Sequence, residues 1–210
     1  MPRASVPKRR TQEERRNDTR KRVLNAALKL LREHGHAAFT TTRVAALAGV
    51  SRGAQENHFR TRAELIAAAG KYAMDQSAEH ARAMAARAAT ARDPLESFLE
   101  DSRHFFFSPA FFAMVELALG ARSEPKLKKI HADLYRYVRS TLDKIWSEAL
   151  YKAGYTTDSI DRVIQFTNYL LRGAVLARLI LPVRPDIDAL MTEWEKVARN
   201  TLKLRRSRKR

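Results

Sequence analysis

Residues 40–62 read TTTRVAALAGVSRGAQENHFRTR. The first half is alanine, valine and leucine at helical spacing, suited to a small core. The second half offers Arg52, Gln55, Glu56, Asn57 and His58 in quick succession, residue types seldom kept inside a protein. Thr40, Thr41 or Thr42 is fit to cap a helix through Val44, Ala45, Leu47 and Ala48. Gly49 breaks that helix, Val50 points inward, and Ser51 caps a second helix of barely two turns from Arg52 to Phe59. Two short helices joined by a tight glycine turn, the second of them polar, make the helix-turn-helix pattern. On a helical wheel Val44, Leu47, Val50 and Phe59 face the core, whereas Gly53 and Asn57 point outward, flanked by Ala54, Glu56 and His58. Asparagine pairs bidentately with adenine in the major groove, and Arg52 reaches guanine or a phosphate. Glu56 repels phosphates, so it must accept from a cytosine amine, orient Arg52, or turn aside.

Working outward, residues 1–17 hold two prolines and Lys8-Arg9-Arg10, and read as a flexible basic arm for the minor groove or for non-specific affinity. From Asp18, Val23, Leu24, Ala27, Leu28, Leu30 and Leu31 recur at helical spacing up to Gly35. Thr61 and Glu64 form a capping box that opens an alanine-rich helix towards Ala89. Asp93-Pro94, Ser108-Pro109 and Glu124-Pro125 each start another helix, the last running to Gly154. Two more span about Thr157–Leu181 and Asp186–Leu204. No alternating β-branched run and no fixed-period repeat is present. The expected fold is all-α, about nine helices, with a three-helix DNA-binding head over 18–65, a larger helical region over 66–204, and a basic tail over 205–210.

Charge agrees with that division. Of the net +17, residues 1–62 carry 15 Lys/Arg against 5 Asp/Glu, residues 63–202 carry 19 against 18, and the last eight residues add 6 cations and no acid. Such basic ends attract polyanions. The chain has no cysteine, so disulfides and thiolate metal sites are excluded. No apolar run approaches the roughly 18 residues needed to cross a bilayer, and the N-terminus lacks a secretory apolar segment. No nucleophile motif, phosphate loop or HExxH is present, and His34 and His36 straddle Gly35 with too few partners for a metal. No enzyme activity, cofactor, metal or membrane association is expected.

From about residue 19 to 70, TRKRVLNAALKLLREHGHAAFTTTRVAALAGVSRGAQENHFRTRAELIAAA resembles the DNA-binding head of the tetracycline-repressor (TetR) family of bacterial regulators. The resemblance implies a cytoplasmic, nucleoid-associated repressor. It would bind a palindromic operator as a homodimer and be released by a small molecule held in its C-terminal region. By motif position it places Arg52, Gly53, Asn57 and His58 on the DNA and Thr41 and Thr42 on phosphates. Arg43, Ser51 and Glu56 would share that surface, and Arg62 would bind the backbone at the start of the fourth helix. Gln55 stands where the family usually has a core leucine, and Glu56 where an aromatic often sits.

For the rest of the chain, Ile160, Val163, Ile164, Thr167, Leu171, Ala174, Val175 and Leu179 form one stripe, and Ile187, Leu190, Met191, Trp194, Val197 and Thr201 another. Paired across a twofold axis they would make a four-helix bundle, with Gly173 permitting close approach, although part of each stripe must serve the chain's own core. Phe105, Phe106, Phe112, Tyr135 and Trp146 suit an apolar pocket for a hydrophobic or aromatic effector, oriented by Arg139, Asn168 and Arg172. The rival reading is an architectural protein that binds nucleic acid without sequence preference.

Overall fold

The computed structural model describes residues 11–88 and 93–205. Among them every regular element is a helix, apart from one isolated bridge between Tyr155 and Leu204. The order is α1 (Gln12–His34), α2 (Thr41–Ala48), α3 (Arg52–Glu56), α4 (Arg62–Ala88), α5 (Pro94–Phe106) and α6 (Pro109–Gly120). There follow α7 (Pro125–Val138), a π-helical turn (Arg139–Asp143), α8 (Lys144–Lys152), α9 (Thr157–Ile180) and α10 (Ile187–Thr201). Because α7, the π-turn and α8 run on without a break, the described residues make nine rods. The all-α expectation holds.

Helix ends follow the sequence closely, with instructive exceptions. Helix α1 begins six positions before Asp18: Glu14 N donates to the Thr11 hydroxyl at 3.1 Å and Thr11 N to the Glu14 carboxylate at 2.8 Å. This capping box, with Glu13 and Glu14 at the positive end of the helix dipole, converts residues 12–17 from the expected flexible arm into rigid helix. Lys8, Arg9, Arg10 and the tail beyond Arg205 lie outside the described residues. Helix α3 stops at Glu56, short of Phe59, and Leu47 is exposed rather than in the core. At α4 the Thr61 hydroxyl accepts from Glu64 N at 3.1 Å, while the Glu64 carboxylate accepts from Arg60 N at 2.9 Å, one residue earlier than a full box requires.

One apolar core runs through the molecule, from Val23, Leu31, Phe39, Val44 and Phe59 around the short helices to Leu117, Leu127, Leu150 and Leu171 in the larger bundle. Helix α4 crosses the expected boundary at residue 65 without interruption and belongs to both parts. Its first half is fastened to α7. A methyl on Gly70 would stand 2.5 Å from Leu134 Cδ1, so the two helices touch where glycine leaves room. One turn on, Lys71 and Tyr137 donate to the Asp75 carboxylate at 2.8 and 2.6 Å. Burial would raise that carboxyl's pKa, but these two bonds outweigh it and hold it below the usual carboxylate range.

The expected α9 stripe is corrected here. Val163, Thr167, Leu171 and Ala174 are buried within this chain's own core, and so present no surface to a second subunit. Outside lies a different set: Phe166, Tyr169, Gly173, Leu176 and Ile180 are exposed, at the alternating three- and four-residue spacing of a coiled-coil seam. A Cβ on Gly173 would meet nothing within 4 Å. On α10, Leu190 and Trp194 are half-buried and Val197 is exposed beside that seam, with Trp194 Nε1 donating to Thr167 Oγ1 at 2.8 Å.

Candidate nucleic-acid interface and effector cavity

The α2–α3 turn is built from backbone caps. Thr40 Oγ1 accepts from Arg43 N at 3.2 Å, and Ser51 Oγ accepts from Ala54 N at 3.2 Å. Gly49 adopts φ 64°, a left-handed conformation that costs any residue with a Cβ, and its N–H closes onto Ala46 O. From α1, Arg22 reaches across and donates to Ala48 O and Gly49 O at 2.6 and 2.7 Å. A five-residue helix would not hold alone, so these caps and the buried Phe59 behind it fix its direction.

On that support Arg52, Gly53, Glu56 and Asn57 are exposed, and a Cβ at Gly53 would meet nothing within 4 Å. Thr42, Arg43 and Ser51 are exposed beside them, while Thr41 and His58 are half-buried. Arg43 Nη1 donates to Ala38 O at 3.1 Å. Glu56 accepts from Arg52 Nε at 2.7 Å, so of the three roles open to it, it orients the arginine. Gln55 is fully buried: its Nε2 donates to Phe59 O at 2.7 Å, and its Oε1 has no partner. A polar side chain thus occupies a core position at some cost in stability. Burial first, and then the nearby Arg16 and Arg20 charges, hold the His58 imidazole below its usual pKa.

Arg62 is not on this surface. Its guanidinium donates to Phe39 O at 3.1 Å, His36 O at 2.9 Å and the Glu124 carboxylate at 2.9 Å. Spent on three acceptors, it ties the α1–α2 turn to the first residue before α7 and leaves no fork for a phosphate. Beside it, His36 N donates to Glu116 Oε2 of α6 at 3.1 Å. Nothing local in the sequence signals this junction, since its partners are 62 and 80 residues apart.

The larger bundle encloses a cavity of about 50 Å³. Seven of the eight residues expected there line it: Phe105, Phe106, Tyr135, Arg139, Trp146, Asn168 and Arg172. Phe112 does not, because its neighbour Phe111 takes the inward face of α6. Phe106 and Phe111 pack at 4.7 Å between ring centroids. The sequence reading missed two carboxylates. Asp101, nearly buried, accepts from Trp146 Nε1 at 2.6 Å and lies 2.8 Å from His80 Nδ1. Asp143 pairs with Arg139 at 3.0 Å and accepts from Asn168 at 3.3 Å. Burial raises the Asp143 pKa despite Arg139. Arg172 stacks on Tyr135 and Tyr169, with its guanidinium carbon 5.5 and 6.0 Å from the ring centroids. Arg139, Leu142 and Asp143 all come from the π-turn, a rare local geometry that recurs at functional sites.

Residues 23–69 match the pattern of the bacterial regulatory proteins of the tetR family. Over 202 residues, 96% of both chains, the sequence is 32% identical to the helix-turn-helix-type transcriptional regulator CymR of Pseudomonas putida. The chain belongs to the TetR family. TetR-type structures share its fold. A TetR-family transcriptional regulator of Mesorhizobium loti aligns over 89% of this chain and 96% of its own with a TM-score of 0.70 at 10% identity. The multidrug binding protein EbrR, complexed with ethidium, aligns over 89% and 99% with a TM-score of 0.61 at 19% identity. As a TetR-family member the chain is a DNA-binding, helix-turn-helix transcription regulator. None of its described helices is long and apolar enough to cross a membrane.

Proposed function

We propose that the chain is a cytoplasmic, nucleoid-associated repressor that binds a palindromic operator as a homodimer and leaves it when a small hydrophobic effector enters the bundle cavity. The observation that carries the reading is the open face of α3, where Gly53 and Asn57 stand clear of their own chain on a helix braced from behind. Gly53 lets α3 approach the groove, Asn57 reads a base edge, and Arg52, steadied by Glu56, reaches guanine or phosphate. Thr41, Thr42, Arg43 and Ser51 sit where the backbone would pass. A twofold axis along the exposed seam of α9, with Leu190, Trp194 and Val197 of α10 beside it, would set two heads on successive turns of the duplex.

The effector half rests on the aromatic cavity. EbrR binds ethidium in a body of the same fold, and an apolar molecule with a polar end suits the Phe105, Phe106, Phe111 and Trp146 wall facing Arg139, Asn168 and Arg172. Ligand pockets measure roughly 300–1,000 Å³, so this cavity of about 50 Å³ must widen, and the π-turn is the wall able to reorganise. Any displacement of α7 is passed to α4 through Leu134, Tyr137 and the Arg62–Glu124 pair, and hence to the head.

Selection from a random duplex pool tests the DNA half. A palindromic motif should emerge, bound at least about 10³-fold more tightly than shuffled DNA, and Asn57→Ala should cost about 1–3 kcal/mol at one base position in each half. Equal affinity for both duplexes would favour an architectural role instead.

A further inference from the structure

A cleft lies beside α3, between it and the first turns of α1. Helix α1 starts well before the head's core, so that the rod from Gln12 to Val23 overhangs it by roughly 16 Å, at about 1.5 Å per residue. The overhang runs alongside the C-terminal end of α3 and encloses an open cleft of about 470 Å³. Arg15, Arg16 and Thr19 are on one wall, Asn57 and His58 on the other, and no carboxylate lines it. Arg16 is exposed and has no ion-pair partner among the described residues. Arg20, one turn further along the same face, lies over the Phe59 ring with its guanidinium carbon 5.4 Å from the centroid. The capping box at Thr11 and Glu14 keeps this stretch helical, so its cations are presented at fixed positions beside the base-reading Asn57.

We propose that this cleft seats the phosphodiester backbone of the strand bordering the major groove entered by α3, with Arg16 and Thr19 as its backbone contacts and Arg20 adding its charge one turn further along the rod. The proposal rests on α3 being the reading helix. Charge complementarity supports it: the Arg15 and Arg16 guanidinium groups and the Thr19 hydroxyl border a space open to solvent that no carboxylate lines. Burial is the main reason the His58 pKa is depressed, and the Arg16 and Arg20 charges add to it, which places both cations near this wall of the cleft. A contact carried by a rigid rod loses less conformational entropy on binding than one carried by a flexible arm. The rod thus extends the footprint beyond the helix-turn-helix itself, and it does so without reading sequence.

Binding is measured against salt for a 40-base-pair duplex recovered by selection and for a shuffled duplex of the same length. Arg16→Ala should weaken both about 3- to 10-fold, leave the ratio between them unchanged, and lower the slope of log affinity against log salt by about 1.8 for the dimer, about 0.9 for the phosphate met by each head. Arg20→Lys, which keeps the charge while losing the stacking on Phe59, should lower the slope by much less than Arg20→Ala. Replacing symmetry-related pairs of flanking phosphates, one in each half-site, with uncharged methylphosphonates should abolish the Arg16→Ala penalty at one pair of positions. An unchanged slope in Arg16→Ala, with the wild-type melting temperature retained, would overturn the proposal, as would a loss confined to one base identity. Should wild type fail to prefer the selected duplex, the operator reading fails separately, and the slope on shuffled DNA still decides the cleft.

Discussion

The α2–α3 turn and the outer flank of α9 are both left uncovered by their own chain, yet they are built in opposite ways. The turn exposes polar groups on a scaffold of backbone hydrogen bonds: Thr40, Ser51 and Gly49 each satisfy an atom within a turn, and Arg22 reaches in from α1 to Ala48 O and Gly49 O. The flank exposes Phe166, Tyr169, Leu176 and Ile180 on a helix that would be regular without them. A polar surface can wait in water for its partner at little cost, whereas an apolar seam of this length is a liability unless a second copy covers it. The first is a site held ready. The second, on the proposed dimer, would be half of a structure.

The sharpest way to break the comparison is to charge the seam. Tyr169→Glu combined with Leu176→Glu should give a folded monomer by sedimentation, and operator affinity should fall at least about 100-fold because two linked heads no longer bind as one. A dimer that survives both changes would mean the seam lies elsewhere. Arg62→Ala comes next. With His36 O, Phe39 O and Glu124 left without their donor, the head should lose about 2–3 kcal/mol of stability in denaturant titration, and Arg62→Lys should restore less than half. If Arg62→Ala weakened DNA binding with no change in stability, a phosphate role would return.

A smaller effect sharpens the other side. Gly53→Ala adds a methyl that touches nothing in this chain, so stability should stay within about 0.5 kcal/mol while operator affinity drops several-fold. The weakest effect is on pH. His58 has a depressed pKa in the free protein, so it is neutral there, and a nearby phosphate would favour its protonated form. Binding then takes up a proton, and affinity should rise a few-fold as pH falls from about 7.5 to about 5.5, a trend that His58→Gln should flatten. Stability should move the other way over the same range, because below about 6.5 the unfolded chain binds that proton more readily.

Sequence reasoning succeeded where the decisive neighbours are close along the chain. Caps at Thr40, Ser51 and Asp93, the glycine turn, and the outward placement of Gly53 and Asn57 all follow from residues within one or two turns. It failed where a distant partner decides. Arg62 looks like a phosphate ligand until Glu124 is placed beside it, and Val163, Thr167, Leu171 and Ala174 look like an interface until α5 and α8 cover them. A buried stripe and an exposed one on α9 differ by about a third of a turn, a distinction that apolar periodicity alone does not draw. The start of α1 was missed for another reason. The Thr11–Glu14 box was there to be read, but the prolines and cations before it suggested an arm.

The unbroken run of α4 has a mechanical meaning. Its 27 residues make a rod of about 40 Å whose first half carries both the head and α7, while its far half is held by α5 through the His80–Asp101 pair. A tilt of about 5° about the far end sweeps the tip through roughly 3.5 Å, close to the ~3.4 Å rise of a single base pair. Two such levers moving in opposite senses would leave the helices at each end out of step with the duplex by two base pairs, though neither had altered its own shape.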